Sequence, residues 1–252
     1  MVQVPARLSR LKPKKGLANV FHIILTLLLP ILVYVMVRIH FTQIALLIIL
    51  LSKWRMFAVK PRHWPANIRA NAIDIIVGVS ILVFMMQSGS QLMQLTWAVG
   101  YGVWLIFIKP GSNVLSVSSQ ALIGQFVGMT ALFIRFGGVN SAILMMATWA
   151  ICYLAARHFL ASFDEPHTRF FSYLWGYFGA ALVWLLSHWL LFYGPIAQPT
   201  LLLGVIGFGL ATLYYLQETD RLSTFFQRQI LFIMFAIVVI LIIFSDWGDK
   251  TI

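Results

Sequence analysis

Cysteine is all but missing from this 252-residue chain, where Cys152 stands alone. That excludes an intrachain disulfide and a cysteine zinc cluster. Charge is scarce too, at 10% of residues, and acids are the scarcest, with seven Asp and Glu in all. So few carboxylates, never in repeated pairs, leave metal-dependent phosphotransfer without ligands. No GxxxxGK[ST] run, GxSxG elbow or CxxC pair occurs, so nucleotide binding by a Walker loop and nucleophile-elbow hydrolysis are excluded as well. No lysine lies at the middle of an apolar run, the one at the end of the second being Lys53, so a retinal-type Schiff base has no mid-span attachment point. The sequence assigns no catalytic residue, cofactor or metal.

What is present is apolar. Hydrophobic residues make up 61% of the chain and the mean hydropathy is +0.89. A soluble domain is about half apolar and a quarter charged. The composition therefore predicts an all-α fold, a polytopic transmembrane helical bundle. A crossing needs about 20 apolar residues, and apolar runs bounded by basic residues, Pro or Gly predict nine. They are 17–37, 39–54, 70–86, 91–108, 113–134, 138–156, 170–193, 199–217 and 230–244. The second is short, and the fifth carries Ser116, Ser118, Ser119, Gln120 and Gln125, which makes its first half a candidate re-entrant piece. Eight crossings are the alternative. The first run follows Arg7, Arg10, Lys12, Lys14 and Lys15 like a signal peptide. It is longer than a usual signal core and lacks a small-residue cleavage pattern, so it reads as an uncleaved anchor.

Cytoplasmic loops retain Lys and Arg. With the N-terminus inside, nine spans put 15 of the 18 basic residues on the cytoplasmic side and leave Arg38, Arg135 and Lys250 outside. The expected organisation is one integral membrane domain over 1–252, with a basic cytoplasmic segment at 1–16 and a short external tail at 245–252. The expected location is a bacterial plasma membrane. The net charge of +11 sits in short loops beside span ends. The expected partner is therefore a bilayer with anionic headgroups at the cytoplasmic face, with membrane-protein partners allowed and nucleic acid excluded. The stretch 53–69 mixes cations with Trp and Phe and is expected to lie along that surface.

Gly124 and Gly128 form a GxxxG, and Gly176, Gly179, Gly204, Gly207 and Gly209 form further small faces, which read as helix-packing devices. Asp74 is the one carboxylate inside a span, expected about 7 Å from the cytoplasmic boundary by helical rise. His22 lies at a matching depth in the first span. Ionisable groups in lipid turn inward and pair, so Asp74 and His22 form the candidate intramembrane polar pair. A candidate polar lining comprises Ser116, Ser119, Gln120, Gln125 and Asn140. A candidate cytoplasmic-face cluster comprises Arg62, His63, Arg69, His158, His167 and Arg169. His188, near the outer end of the seventh span, lies toward the face opposite His22, so the two cannot share a haem.

These features support a noncatalytic protein, either a route for a small solute or a subunit of a membrane assembly. The competing reading is a membrane-embedded enzyme acting on a lipid or isoprenoid phosphate at the cytoplasmic face. Transport requires polar groups at mid-depth, whereas such an enzyme requires them clustered at one interface.

Overall fold

The computed structural model describes residues 17–187 and 192–244. The expected basic segment 1–16 and tail 245–252 lie outside the described residues, as does His188. Among the described residues nine α-helices follow one another. They are α1 (Leu17–Arg38), α2 (Thr42–Leu51), α3 (Trp64–Gln87), α4 (Gln91–Val103), α5 (Val114–Phe136), α6 (Ser141–Leu160), α7 (Thr168–Leu186), α8 (Gln198–Glu218) and α9 (Thr224–Ile243). A π-helical segment, Trp104–Ile108, continues α4. A two-stranded hairpin, β1 (Phe192–Tyr193) with β2 (Ile196–Ala197), turns through Gly194 at φ +61° and precedes α8. Among the described residues, six helical stretches are long and apolar enough to cross a membrane: Pro61–Gln87, Gln91–Ile108, Val114–Phe136, Ser141–Phe163, Gln198–Glu218 and Thr224–Ile243.

Polar caps set several helix starts where the chain leaves a turn. Ser90 accepts from Met93 N, Asn113 from Ser116 N, Asn140 from Ala142 N and Ser223 from Phe226 N. Each satisfies an amide that the first turn leaves without a partner. Two expectations change. The fifth apolar run is one unbroken 23-residue helix, because Ser118 and Ser119 bond back to Val114 O and Leu115 O within it. The second is a ten-residue helix, about 15 Å long and half the hydrocarbon thickness.

The helices alternate in direction, so the turns after α1, α3, α5 and α7 gather at one end. The loops carrying Arg62, Lys109, Arg169 and Arg221 gather at the other, here called the basic end. One core cluster joins α1 to α4 through Val33, Ile49, Val77, Met85 and Tyr101. Another joins α5 to α8 through Met129, Phe133, Cys152, Val183 and Leu203. The GxxxG of α5 connects the two groups. A Cβ on Gly124 would lie 2.7 Å from Ile73 Cγ2 of α3, and one on Gly128 2.6 Å from Ile76 Cγ2. Glycine is needed there because the backbone approaches too closely for any side chain. Gly179 serves α6 and α7 in the same way, 2.8 Å from Cys152 Sγ. Helix α9 buries no residue and rests on α8, where Gly209 meets Met234.

Candidate functional site

Helix lengths dictate what meets Asp74. Lys53 lies eleven residues beyond the start of α2, Asp74 thirteen before the end of α3, and Trp104 thirteen beyond the start of α4. At helical rise, all three stand about 16–20 Å from the same end of the bundle. The shortness of α2 thus drops Lys53 into the interior instead of at a boundary. Asp74 is 7% exposed and Lys53 7%. The Lys53 ammonium pairs with Asp74 Oδ2. Lys109 Nζ reaches the same oxygen at 2.6 Å, and Trp104 Nε1 donates to Oδ1 at 2.9 Å.

The π segment brings Trp104 and Lys109 onto one carboxylate. Lys109 N donates to Trp104 O at 2.8 Å, a five-residue closure. In an α-helix five residues would leave the two side chains roughly 140° apart. The wider turn brings them nearer to one face, and π turns of this kind recur at functional sites. One turn deeper, Tyr101 is fully buried and its hydroxyl has no hydrogen-bond partner among the described residues. The hydroxyl would lie 2.8 Å from a Cβ on Gly78, so the missing side chain of α3 makes its room.

The expected partner of Asp74 is His22, which lies in α1 with its side chain outside the described residues. Asp74 also stands deeper than expected. Helix α3 begins at Trp64, so the acid is ten residues, about 15 Å, along it. The candidate lining residues do not converge on one path. Ser116 N and Asn140 belong to helix starts, and Ser119 bonds within α5. Gln120 Nε2 lies 2.7 Å from Ile108 O and 2.9 Å from Gly111 O, so it braces the turn where the π segment ends. Its Oε1 meets His158 Nε2 at 3.1 Å. Gln125 is buried between α7 and α8, accepting from Trp175 Nε1 at 2.8 Å and donating to Leu203 O at 3.3 Å.

The six residues of the basic-face cluster also stay apart. Among the described residues the one bond within the set joins Arg62 Nε to His63 Nε2 at 2.9 Å on an exposed 3₁₀ turn, while Arg69 lies in α3, His158 is half-buried against Gln120, and His167 and Arg169 are exposed at the start of α7. Among the described residues no three His, Cys, Asp or Glu side chains gather as a metal-holding group. Glu165 closes the α6–α7 loop. It accepts from His167 N at 3.0 Å and from the Tyr214 hydroxyl of α8. These bonds, led by the one from Tyr214, hold its carboxyl below the usual glutamate range.

Beside this loop, α5, α6, α7 and α8 enclose a cleft of about 530 Å³. Ala121, Leu122, Ala156, Leu174, Phe178 and Leu210 supply much of its wall. Its polar members, Gln125, Trp175 and Tyr214, are all hydrogen-bonded within the protein. Gly207 keeps it open, since a Cβ there would stand 3.2 Å from Trp175 and 3.3 Å from Gln125 Nε2. A second apolar groove, about 670 Å³, runs along α5, α8 and α9.

No family model, curated protein or solved structure matches the chain. Function must therefore be argued from the site itself. Sequence reasoning found Asp74 but missed Lys53, Lys109 and Trp104. The only available signal for the last two was their place at the end of the fourth apolar run.

Proposed function

We propose that this chain is a noncatalytic integral membrane protein that takes the hydrocarbon chain of an amphiphile sideways into the α5–α8 cleft. The observation that carries this reading is the chemistry of the wall. Every polar group lining the cleft already has a partner inside the protein. A hydrated solute entering there would lose water bonds without replacement, at roughly 2–7 kcal/mol for each polar group. A hydrocarbon chain loses none. The volume suits a ligand pocket, which spans about 300–1,000 Å³. The flanking helices present exposed Phe170, Leu174 and Phe178, the kind of surface that faces lipid. The groove beneath α9 has an apolar wall too, but α9 touches the bundle on one side only, so lipid fills a seam there.

The candidate lining residues support a hydrophilic route less well, because Ser119 bonds within its own helix, Gln120 and Gln125 bond to neighbouring elements of the protein, and the set is spread along the bundle. The enzyme reading gains a site for a substrate chain, but no nucleophile–base pair among the described residues to act on it. In the proposed arrangement the chain threads a plasma membrane nine times, α2 by a half-length helix, with the N-terminus and basic end inside and the C-terminus outside. Anionic headgroups would then meet exposed Lys60 and Arg62.

The test is photo-crosslinking in reconstituted membranes with a phospholipid that carries a diazirine on its acyl chain. Label is expected on Leu174, Phe178 and Ile206 of the cleft. Ala211→Phe, which fills it, should lower that label about tenfold, a loss of about 1.4 kcal/mol. Label spread evenly over all outward-facing helices, and indifferent to Ala211→Phe, would refute the proposal.

A further inference from the structure

We infer that the Lys53–Asp74–Lys109 cluster is an anion site, and that it takes a phosphate group on the Lys109 ammonium. The charges do not cancel. Two ammonium groups share one carboxylate, and both use its Oδ2. Oδ1 is taken by the Trp104 indole. Among the described residues, the only acid paired with either lysine is Asp74. One positive charge therefore remains beside a buried carboxylate, where surrounding apolar atoms weaken its hydration.

The two lysines differ in how they can meet that surplus. Lys53 is buried, and its ammonium is committed to Asp74. The Lys109 side chain is 40% exposed. Its ammonium carries three donors, and Asp74 takes one. The turn that presents it is fixed, because Gln120 holds the carbonyls of Ile108 and Gly111 on either side. The first turn of α5 follows within five residues and adds positive end-dipole to the same place. The exposed Lys60 and Arg62 stand on the neighbouring loop, where they raise the local concentration of anions. A pre-set ammonium with open donors at the basic end suits a phosphate oxygen. That phosphate can come from a lipid headgroup or from solution. The inference does not depend on the cleft, since Ala211→Phe tests chain uptake and leaves Lys109 untouched.

The experiment uses the full chain in phosphatidylcholine nanodiscs, in two arms: phosphatidic acid added to the bilayer, or inorganic phosphate added to the buffer. Native mass spectrometry counts bound phosphatidic acid, and calorimetry follows phosphate. Lys109→Gln should weaken binding about tenfold, equivalent to about 1.4 kcal/mol, while Lys60→Gln, which only lowers the local anion concentration, should weaken it far less. In the wild-type chain, the bound anion should also slow acetylation of Lys109 by a water-soluble amine reagent, with exposed Lys60 as the internal reference, so the test stands even if a variant folds poorly. Lys109-dependent binding confined to the first arm identifies a headgroup, and binding in the second identifies free phosphate. Binding in neither arm, or binding and acetylation that ignore Lys109, would overturn the inference.

Discussion

Removing the Asp74 carboxylate should damage the protein far more than removing either cation, and the burial of each partner sets the order. Asp74→Ala strands the Lys53 ammonium, 7% exposed, and the buried Trp104 indole, whereas Lys109 can turn to water. Breaking a buried pair by taking away one partner costs about 3–5 kcal/mol. Lys53→Met leaves Asp74 with Lys109 and Trp104, so only a charge-assisted bond is lost, about 1.5–3 kcal/mol. Lys109→Met removes a half-exposed ion pair and should cost about 0–1 kcal/mol. For a chain of this size each kcal/mol moves the midpoint by about 2–4 °C, so Asp74→Ala should melt about 10 °C below wild type. Replacing Lys53 and Asp74 together by Met and Leu should recover much of that loss, because an apolar pair carries no stranded charge. Thermal unfolding of detergent-purified protein, followed by Trp fluorescence, measures all four. If Lys109→Met proves as damaging as Asp74→Ala, or the double replacement is worse than Asp74→Ala, the burial argument is wrong.

Gly124→Val should disrupt the α3–α5 seam, since the first added carbon already falls 2.7 Å from Ile73. Overpacking of this kind costs about 1–3 kcal/mol, and a second substitution, Ile73→Ala, should restore part of it in the same unfolding assay. Glu165, which faces Tyr214 and His167, has a folded-state pKa below its ordinary 4.5. Its contribution is therefore present above 4.5 and lost as pH falls below that value through the folded one. Tyr214→Phe should flatten this acid limb of a melting-temperature profile, and an unchanged limb would remove Glu165 from the account. On a background lacking the buried Cys152, single cysteines at 62 and 167 should label from the same side of the membrane and one at 248 from the other. A residue 248 that labels with the other two would leave eight crossings.

Much of the fold is legible in the sequence because the bilayer imposes a length rule that short-range composition obeys. The apolar runs match the helices to within a few residues over 91–108, 113–134 and 199–217. The glycines of 124 and 128 mark the seam they were expected to make. The second run shows where the rule fails: Phe41 and the 3₁₀ turn at 54–57 clip it to ten residues, and Phe41 carries no charge or proline signal while Lys53 and Arg55 read only as an ordinary span end. Its consequence is larger than its length. A lysine at a span end is expected to reach outward to water, so nothing in the sequence points Lys53 or Lys109 toward Asp74. An interior carboxylate reverses that preference when the helix ends too soon for the lysine to reach water. Gln120 was misjudged for a related reason. An amide inside a span reads as the wall of a polar path, but here it braces the turn that follows a π segment, and a π segment leaves no periodic trace in sequence.

Acids are so few that the two best-placed ones reveal how the basic end is held together. Asp74 joins the end of α2, the middle of α3 and the end of α4, while Glu165 joins the α6–α7 loop to α8. Each gathers donors from at least two elements, which a cation in a loop cannot do for carbonyls spread along several helices. The surroundings then separate their roles. Glu165 meets neutral donors and a neighbouring histidine, so its negative charge is dispersed without excess. Asp74 meets two ammonium groups and leaves a positive remainder. A bundle that needed Asp74 only as a tie could use Lys53 and Trp104 alone. The second lysine adds little by the order of stabilities above, yet the π turn aims it at the same oxygen. That combination, small structural benefit with a specific geometry, is what a ligand contact requires, and it is why phosphate binding by Lys109 separates an anion site from a structural tie.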